Sequence, residues 1–260
     1  MHWWERLSEL KRDLTEHYLS RLPQFFLTPG GACPYLPGKR ERKVFTALDG
    51  YDAEGLHDVL THAGFRRSQN IAYRPSCEGC DACISARVPV ERFAFNRRWR
   101  RIMAHNADLM RALRPAEATE EQFRLLRAYL RSRHADGGMA DMSFGDYAAM
   151  VEETAVHTHI VEYRYSAGPD RGALAAAALV DVLGDGLSLV YCYFDPEAIR
   201  RSLGVYTILD HIQQARAAGF AHLYLGYWIP GSDKMNYKAS FRPLELLLGG
   251  EWRPYEPVRF

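Results

Sequence analysis

At 260 residues and 29.7 kDa the chain is long enough to bury a core, as one large domain or two small ones. Its 47% hydrophobic and 25% charged residues exclude wholesale disorder, and 33 Lys+Arg against 32 Asp+Glu, a net charge of +1, exclude a uniformly basic surface. The longest apolar run, 173–180, falls far short of the roughly 20 residues a membrane helix needs. The opening MHWWERLSELKRDL is interrupted by charges too early for a signal sequence, and five cysteines do not fit a secreted disulfide framework. A reducing cytoplasm is the predicted location.

Neutrality hides an asymmetry. Segment 87–114 carries eight arginines against Glu91 and Asp108, and segment 145–197 carries nine acids against Arg164 and Arg171. An anionic partner docking on one part of the molecule fits that distribution, as does a solvated arginine-rich helix face.

In chain order, the first 90 residues are punctuated by Pro and Gly and predict short strands and loops around one helix at 53–63. Thr119 followed by Gln122 forms a capping box, opening a helix whose apolar stripe is Phe123, Leu126 and Leu130. A second helix is predicted from 143 to about 154. The period then changes: strands at 159–165, 173–183 and 187–194, a helix over 201–218 stopped by Gly219, a strand at 222–228, a short helix at 233–241 and a last strand at 244–248. This order resembles the second half of the GNAT acyltransferase fold, in which two strands splay apart around the acyl donor. The predicted class is therefore α+β: a small N-terminal domain, 1–100, and a GNAT-like acyltransferase domain, 101–260.

Three segments carry chemistry. Cys77, Cys80 and Cys83 are spaced C-x2-C-x2-C, and Cys33 supplies a fourth thiol; such a set suits zinc or an iron–sulfur cluster, or else marks ordinary thiols at a tight turn. Cys192, in an apolar strand, reads as core. Arg201 and Gly204 stand where a helix N-terminus holds an anion, as coenzyme A pyrophosphate is held in GNAT enzymes. Segment 226–243 interleaves Tyr227, Trp228 and Tyr237 with Lys234, Lys238 and Arg242, a pattern that serves base stacking and phosphate contact, or packs a loop on the sheet. No G-x-S-x-G, Walker A or H-E-x-x-H motif is present, and His157 with His159 would share a face only if a strand began that early.

The runs CPYLPGKRERKVFTAL, RPSCEGCDACISARVPV, FNRRWRR, LVYCYFDP, RSLGVYTILDHI and YLGYWIPGSDKMNYKASFRP, spread from about Phe25 to Tyr255, resemble the bacterial branch of the arginyl-tRNA–protein transferase family. The resemblance implies an enzyme that moves leucine from leucyl-tRNA to the α-amino group of proteins beginning with Asp or Glu, so creating an N-degron, with no cofactor required for the chemistry. It implies Arg97, Arg98, Arg100 and Arg101 on acceptor-stem phosphates, and Tyr227, Trp228 and Tyr237 stacking the single-stranded 3′ end. Arg74 is the first choice for the acceptor carboxylate, with Lys234 and Lys238 behind it. Tyr191, Tyr193 and Tyr237 would orient the ester or take the proton, and Asp195 would orient the amine. The cysteine pattern departs from the C-x2-C plus adjacent pair of the eukaryotic branch, so a cluster proposed there does not carry over residue by residue. The competing readings are a coenzyme A-dependent N-acetyltransferase and a non-catalytic tetra-Cys RNA-binding module.

Overall fold

A computed structural model describes residues 23–50, 52–133 and 137–256; the charged opening segment read above lies outside them. The N-terminal unit contains β1 (Phe26–Leu27), β2 (Gly31–Ala32), β3 (Arg40–Glu41), β4 (Lys43–Ala47), α1 (Ala53–His62), β5 (Arg66–Ser68) and β6 (Ile71–Pro75). Asp52 starts α1 by accepting the Gly55 N–H at 3.1 Å. Strands pair in the antiparallel order β1-β4-β6-β5, over a small core of Leu48, Leu60, Phe65 and Ala72.

The rest builds one large sheet. Its elements are β7 (Ile84–Pro89), α2 (Arg97–His105), β8 (Leu109–Pro115), α3 (Glu120–Arg133), α4 (Phe144–Glu152), β9 (Thr158–Tyr165), β10 (Leu174–Val182), β11 (Gly186–Phe194), α5 (Leu203–Ala217), β12 (His222–Trp228), β13 (Glu245–Leu248) and β14 (Glu251–Pro254). Eight strands lie in the order β14-β13-β7-β12-β11-β10-β9-β8. β7 is thus built into the large sheet although it falls within the first 100 residues. The capping box forms as read: Thr119 N–H donates to Gln122 Oε1 at 3.0 Å, and Gln122 N–H to Thr119 Oγ1 at 3.3 Å.

Both faces of the sheet are covered. Leu203, Leu209 and Ile212 of α5 pack with Leu223 and Leu225 on one face. Phe123, Leu126 and Leu130 of α3 pack with Tyr147, Leu179 and Tyr193 on the other. Central β10 carries Ala175, Ala176, Ala177 and Ala178, all 0% exposed, because helices close in from both sides and leave room only for methyl groups. β8 escaped the sequence reading: as an edge strand it exposes Met110 and Leu113 at 58% and 61%, so its pattern shows no clean alternation. The helix expected at 233–241 is only a 3-10 turn, Asn236–Ser240. Lys238 and Phe241 are both buried there, a spacing of three that the tighter helix eclipses onto one side.

The N-terminal unit docks on the face opposite α5. Arg67 forms a two-pronged ion pair with Asp181 at 2.7 and 2.8 Å, both side chains being 0% exposed, and Thr158 Oγ1 donates to the same carboxylate at 2.8 Å. His57 Nε2 lies 3.7 Å from it; burial holds this imidazole below its ordinary pKa, outweighing the pull of Asp181. A second polar cluster gathers Asp185 with His222 Nδ1 at 2.8 Å, His62 Nε2 at 3.3 Å and the Tyr224 hydroxyl at 3.0 Å.

Candidate functional site

The central event in the sheet is a splay. β11 and β12 are parallel and pair only at Gly186↔His222, Leu187↔Leu223 and Ser188↔Tyr224; beyond those positions they diverge. A bulge between Tyr224 and Gly226, with Gly226 at φ +70°, turns β12 away. Diverging strands leave carbonyls unpaired, and the sequence supplies long N–H donors for them. Arg66 Nη2, from β5, donates to Val190 O at 2.8 Å and Leu189 O at 3.2 Å on β11. Lys238 Nζ donates to Tyr227 O on β12 at 2.5 Å. Gly226 has no side chain for a second reason besides its φ: a Cβ would overlap the Arg66 guanidinium.

Arg66 is half-buried and lies 5.9 Å over the Tyr227 ring, yet among the described residues no carboxylate pairs with it and no acceptor meets its Nη1 or Nε. Lys238 is 4% exposed and likewise lacks an acid. Burial, reinforced by the Arg66 charge, drives its amine well below the ordinary 10.5. Folding therefore releases a proton wherever the unfolded lysine is charged and the folded one is not, and stability climbs with pH up to about 10.5. Lys238→Met is expected to flatten that slope by up to about 1.4 kcal/mol per pH unit. Urea unfolding at several alkaline pH values checks it; an unchanged slope would show that Lys238 is charged in the fold.

Tyrosines surround Arg66 and Lys238. Tyr35, Tyr129, Tyr191 and Tyr237 lie near enough to one another to influence each other's ionisation in sequence around the cleft, and Arg66 acts on Tyr35 and Tyr237. Tyr129, on α3, meets the Phe194 ring edge-on at 4.9 Å. Burial pushes the Tyr129 hydroxyl up to about 12 and raises those of Tyr35, Tyr191 and Tyr237. These phenols stay protonated near neutrality, so they suit donation to a carbonyl oxygen rather than removal of a proton.

The structure separates the residues singled out from sequence. Tyr191, Tyr237 and Lys238 gather at the splay. Tyr193 does not: it is 2% exposed and its hydroxyl is locked on Tyr147 at 2.6 Å beneath α4. Asp195 closes the turn after β11, its carboxylate accepting Glu197 N–H at 2.9 Å. Tyr227 is buried, its hydroxyl donating to Gly64 O and Tyr73 O, both at 3.0 Å. Trp228 is 8% exposed and packs on Tyr255 on the α5 face, so of the three aromatics expected to stack bases only Tyr237, 45% exposed although its hydroxyl end is enclosed, is open to a ligand. Arg74 is exposed, donating to Ala63 O at 3.1 Å and covering the Phe65 ring. Lys234 is exposed without an ion-pair partner among the described residues.

Arg201 is consumed by Asp108, with two bonds of 2.7 and 2.9 Å, and Gly204 is small because a Cβ would stand 2.7 Å from the Phe194 ring. Both residues thus serve packing at the start of α5. Arg97, Arg98, Arg100 and Arg101 are all exposed on α2 and none pairs with an acid among the described residues.

The four cysteines Cys33, Cys77, Cys80 and Cys83 are neighbours. Burial first, then Cys33, Cys77 and Cys80, push the Cys83 thiol up to about 11. Among the described residues no three His, Cys, Asp or Glu side chains stand as a metal-binding group, so the arrangement lends no support to zinc or an iron–sulfur cluster. The close spacing makes a turn: Cys77 and Cys80 face each other as an isolated bridge, Gly79 takes φ +63°, and Arg42 N–H donates to Cys77 Sγ at 3.5 Å. Cys192 is core, as read, packed against the α5 side. His157 pairs with Glu54 at 3.1 Å, since β9 begins only at Thr158.

The residue that the sequence reading missed is Arg66. Its signal was faint, an Arg-Arg pair in a three-residue strand, and its importance depends on a splay formed by residues more than 120 positions later.

A mixed sheet whose parallel pair opens into a polar, tyrosine-lined gap, helix-covered on both faces, is that of a GNAT-like acyltransferase. Two family models match the chain: arginine-tRNA-protein transferase, N terminus, over residues 31–101, and arginine-tRNA-protein transferase, C terminus, over residues 121–248. An aspartate/glutamate leucyltransferase of Phenylobacterium zucineum is 57% identical over 92% of this chain and 93% of that relative. One of Caulobacter vibrioides is also 57% identical, over 92% and 86%, and one of Maricaulis maris is 53% identical, over 95% and 96%. Among solved structures, FemX aligns with a TM-score of 0.46 at 9% identity, over 88% of this chain and 70% of its own. The chain belongs to the arginine-tRNA-protein transferase family, and the relatives named here are all bacterial leucyltransferases.

Proposed function

We propose that this enzyme moves leucine from leucyl-tRNA to the α-amino group of proteins beginning with Asp or Glu, giving them the N-terminal leucine of an N-degron. The observation that carries the reading is Arg66: a guanidinium set into the strand splay, with Nη2 anchored on β11 carbonyls and Nη1 and Nε unspent. A forked cation without an acid partner is complementary to a carboxylate, and the acceptor's first side chain supplies one. The 57% identity to a named aspartate/glutamate leucyltransferase supports the same acceptor and donor.

The chemistry follows from what lines the gap. The aminoacyl ester enters between β11 and β12, and the acceptor amine attacks its carbonyl carbon. A C–N bond forms, the ester C–O bond breaks, and the amine's proton leaves with the tRNA 3′-terminal ribose oxygen. An α-amine with a reference pKa of about 7.7–8.0 is partly unprotonated near neutrality, and the ester is already activated, so positioning and oxyanion donors do most of the work. Tyr191 and Tyr237, protonated near neutrality and at the splay, are assigned as the donors to the oxyanion. No helix among the described residues is long and apolar enough to cross a membrane, and a tRNA donor places the reaction in the cytoplasm.

The test offers purified protein a peptide beginning with Asp, together with leucyl-tRNA, arginyl-tRNA or acetyl-CoA in turn. A mass gain of one leucyl residue, from leucyl-tRNA alone, is expected. Acetylation, or transfer from arginyl-tRNA at a comparable rate, overturns the reading.

A further inference from the structure

We propose that the outer face of α3 is a docking surface for the acceptor stem of the aminoacyl-tRNA, opposite the arginines of α2 across the strand splay. The proposal rests on the aminoacyl-tRNA reading above and adds a surface to it.

α3 is two-sided. Its inner residues, Phe123, Leu126 and Leu130, are buried against the sheet. From Gln122 to Arg133 the helix has four arginines, Arg124, Arg127, Arg131 and Arg133, and no acid. All four are exposed. Among the described residues none of the four pairs with a carboxylate: Arg124 Nε donates to Glu120 O at 3.3 Å, and Arg127 covers the Phe123 ring at 5.6 Å. The helix dipole rewards a cation in the last turn, which accounts for Arg131 and Arg133. It does not account for Arg124 or Arg127, which lie inside the helix beyond the reach of either terminal turn.

Position gives the stripe its meaning. α3 lies across β10 and β11, and its Tyr129 reaches Phe194, the last residue of β11, where the splay opens. Arg133 is close enough to lower the Tyr129 hydroxyl's pKa against burial. On the other face α2 carries its own four exposed arginines, and its Trp99 stacks on Phe241 at 5.2 Å, next to Tyr237. Two basic helices therefore flank one gap. A polyanion whose single-stranded end reaches into a cleft, while its duplex rests outside, has the shape and charge that such a pair accepts.

The acids do not cancel these arginines. In the acidic segment Glu162 is bonded to Arg164 and Gln122, Asp181 to Arg67, Asp185 to His222, and Asp146 caps α4. Glu162 and Asp181 are buried, so part of that segment's negative charge is spent inside the fold, whereas the arginine charge of α2 and α3 is left outside.

The experiment titrates protein with leucyl-tRNA across a salt series and measures transfer to an Asp-initiated peptide. The triple variant R124Q/R127Q/R131Q is expected to make the slope of log affinity against log salt shallower by about 2, since each phosphate contact contributes roughly 0.7–0.9. It is also expected to raise the KM for leucyl-tRNA at least tenfold, with the peptide KM unmoved. R124K/R127K/R131K, which keeps the charge, is expected to retain most of the slope. An unchanged slope in the Gln variant overturns the proposal, as does an equal loss in the Lys variant, which would mark a structural role. Leucine transfer with an unchanged slope discards the α3 surface alone; wild-type protein that neither binds leucyl-tRNA nor transfers from it discards the function with it.

Discussion

Arg66→Gln is expected to lower kcat/KM for Asp-initiated peptides by roughly 10²-fold, because truncating one partner of a desolvated charge pair costs about 2–5 kcal/mol. The effect should fall on peptide KM and on kcat together, since a misplaced acceptor is also a misplaced nucleophile. Leucyl-tRNA affinity and its salt dependence should stay as they are. Arg66 also caps Val190 O and Leu189 O, so some stability goes with it; a Gln amide can still reach one carbonyl, and the expected loss is about 1 kcal/mol. Steady-state kinetics alongside thermal melts separate the two effects. A variant that melts much earlier yet turns over normally would make Arg66 a strand cap and nothing more.

Its neighbour should behave in the opposite way. Arg67→Met leaves Asp181, 0% exposed, with only Thr158 and His57, and breaking a buried pair from one side costs about 3–5 kcal/mol. That carboxylate is one of the buried ties between the N-terminal unit and the large sheet, so the transition should shift to lower temperature while kcat of the folded enzyme holds. Replacing both partners, R67M/D181L, should recover most of the loss, because an uncompensated buried charge is what makes the single variant costly. Urea melts of the two singles and the double check this; equal losses in all three would mean that packing, not charge, dominates. Two adjacent arginines on one short strand thus divide the work. The strand's alternation sends Arg67 to Asp181 and Arg66 to the splay.

Local signals in the sequence located the elements that local physics governs. The Thr119/Gln122 box, the α3 stripe and the β9–β11 meander all formed where periodicity and capping placed them, since each depends on residues a few positions apart. What sequence alone did not reveal depends on distant partners. Tyr193 and Tyr191 look alike two residues apart on one face of β11, but α4 covers only the first. Trp228 and Tyr227 read as stacking aromatics until the sheet buries one on each face. Gly204 sits where an anion loop would have it, and the Phe194 ring explains it instead. The cysteine spacing reads as a metal site or as a tight turn, because a ligand loop and a turn ask for the same short intervals. Arg66 was invisible because a cation's role in this fold is set by which carbonyls the splay leaves unpaired.

The most direct test of the account compares Asp- and Asn-initiated peptides, alike in shape and unlike in charge, in wild type and Arg66→Gln with leucyl-tRNA as donor. Wild type is expected to prefer Asp by at least about 10²-fold in kcat/KM, and the variant to accept both peptides at similar low rates. A preference for Asp that survives the loss of Arg66 would contradict the placement of the acceptor carboxylate in the β11–β12 gap.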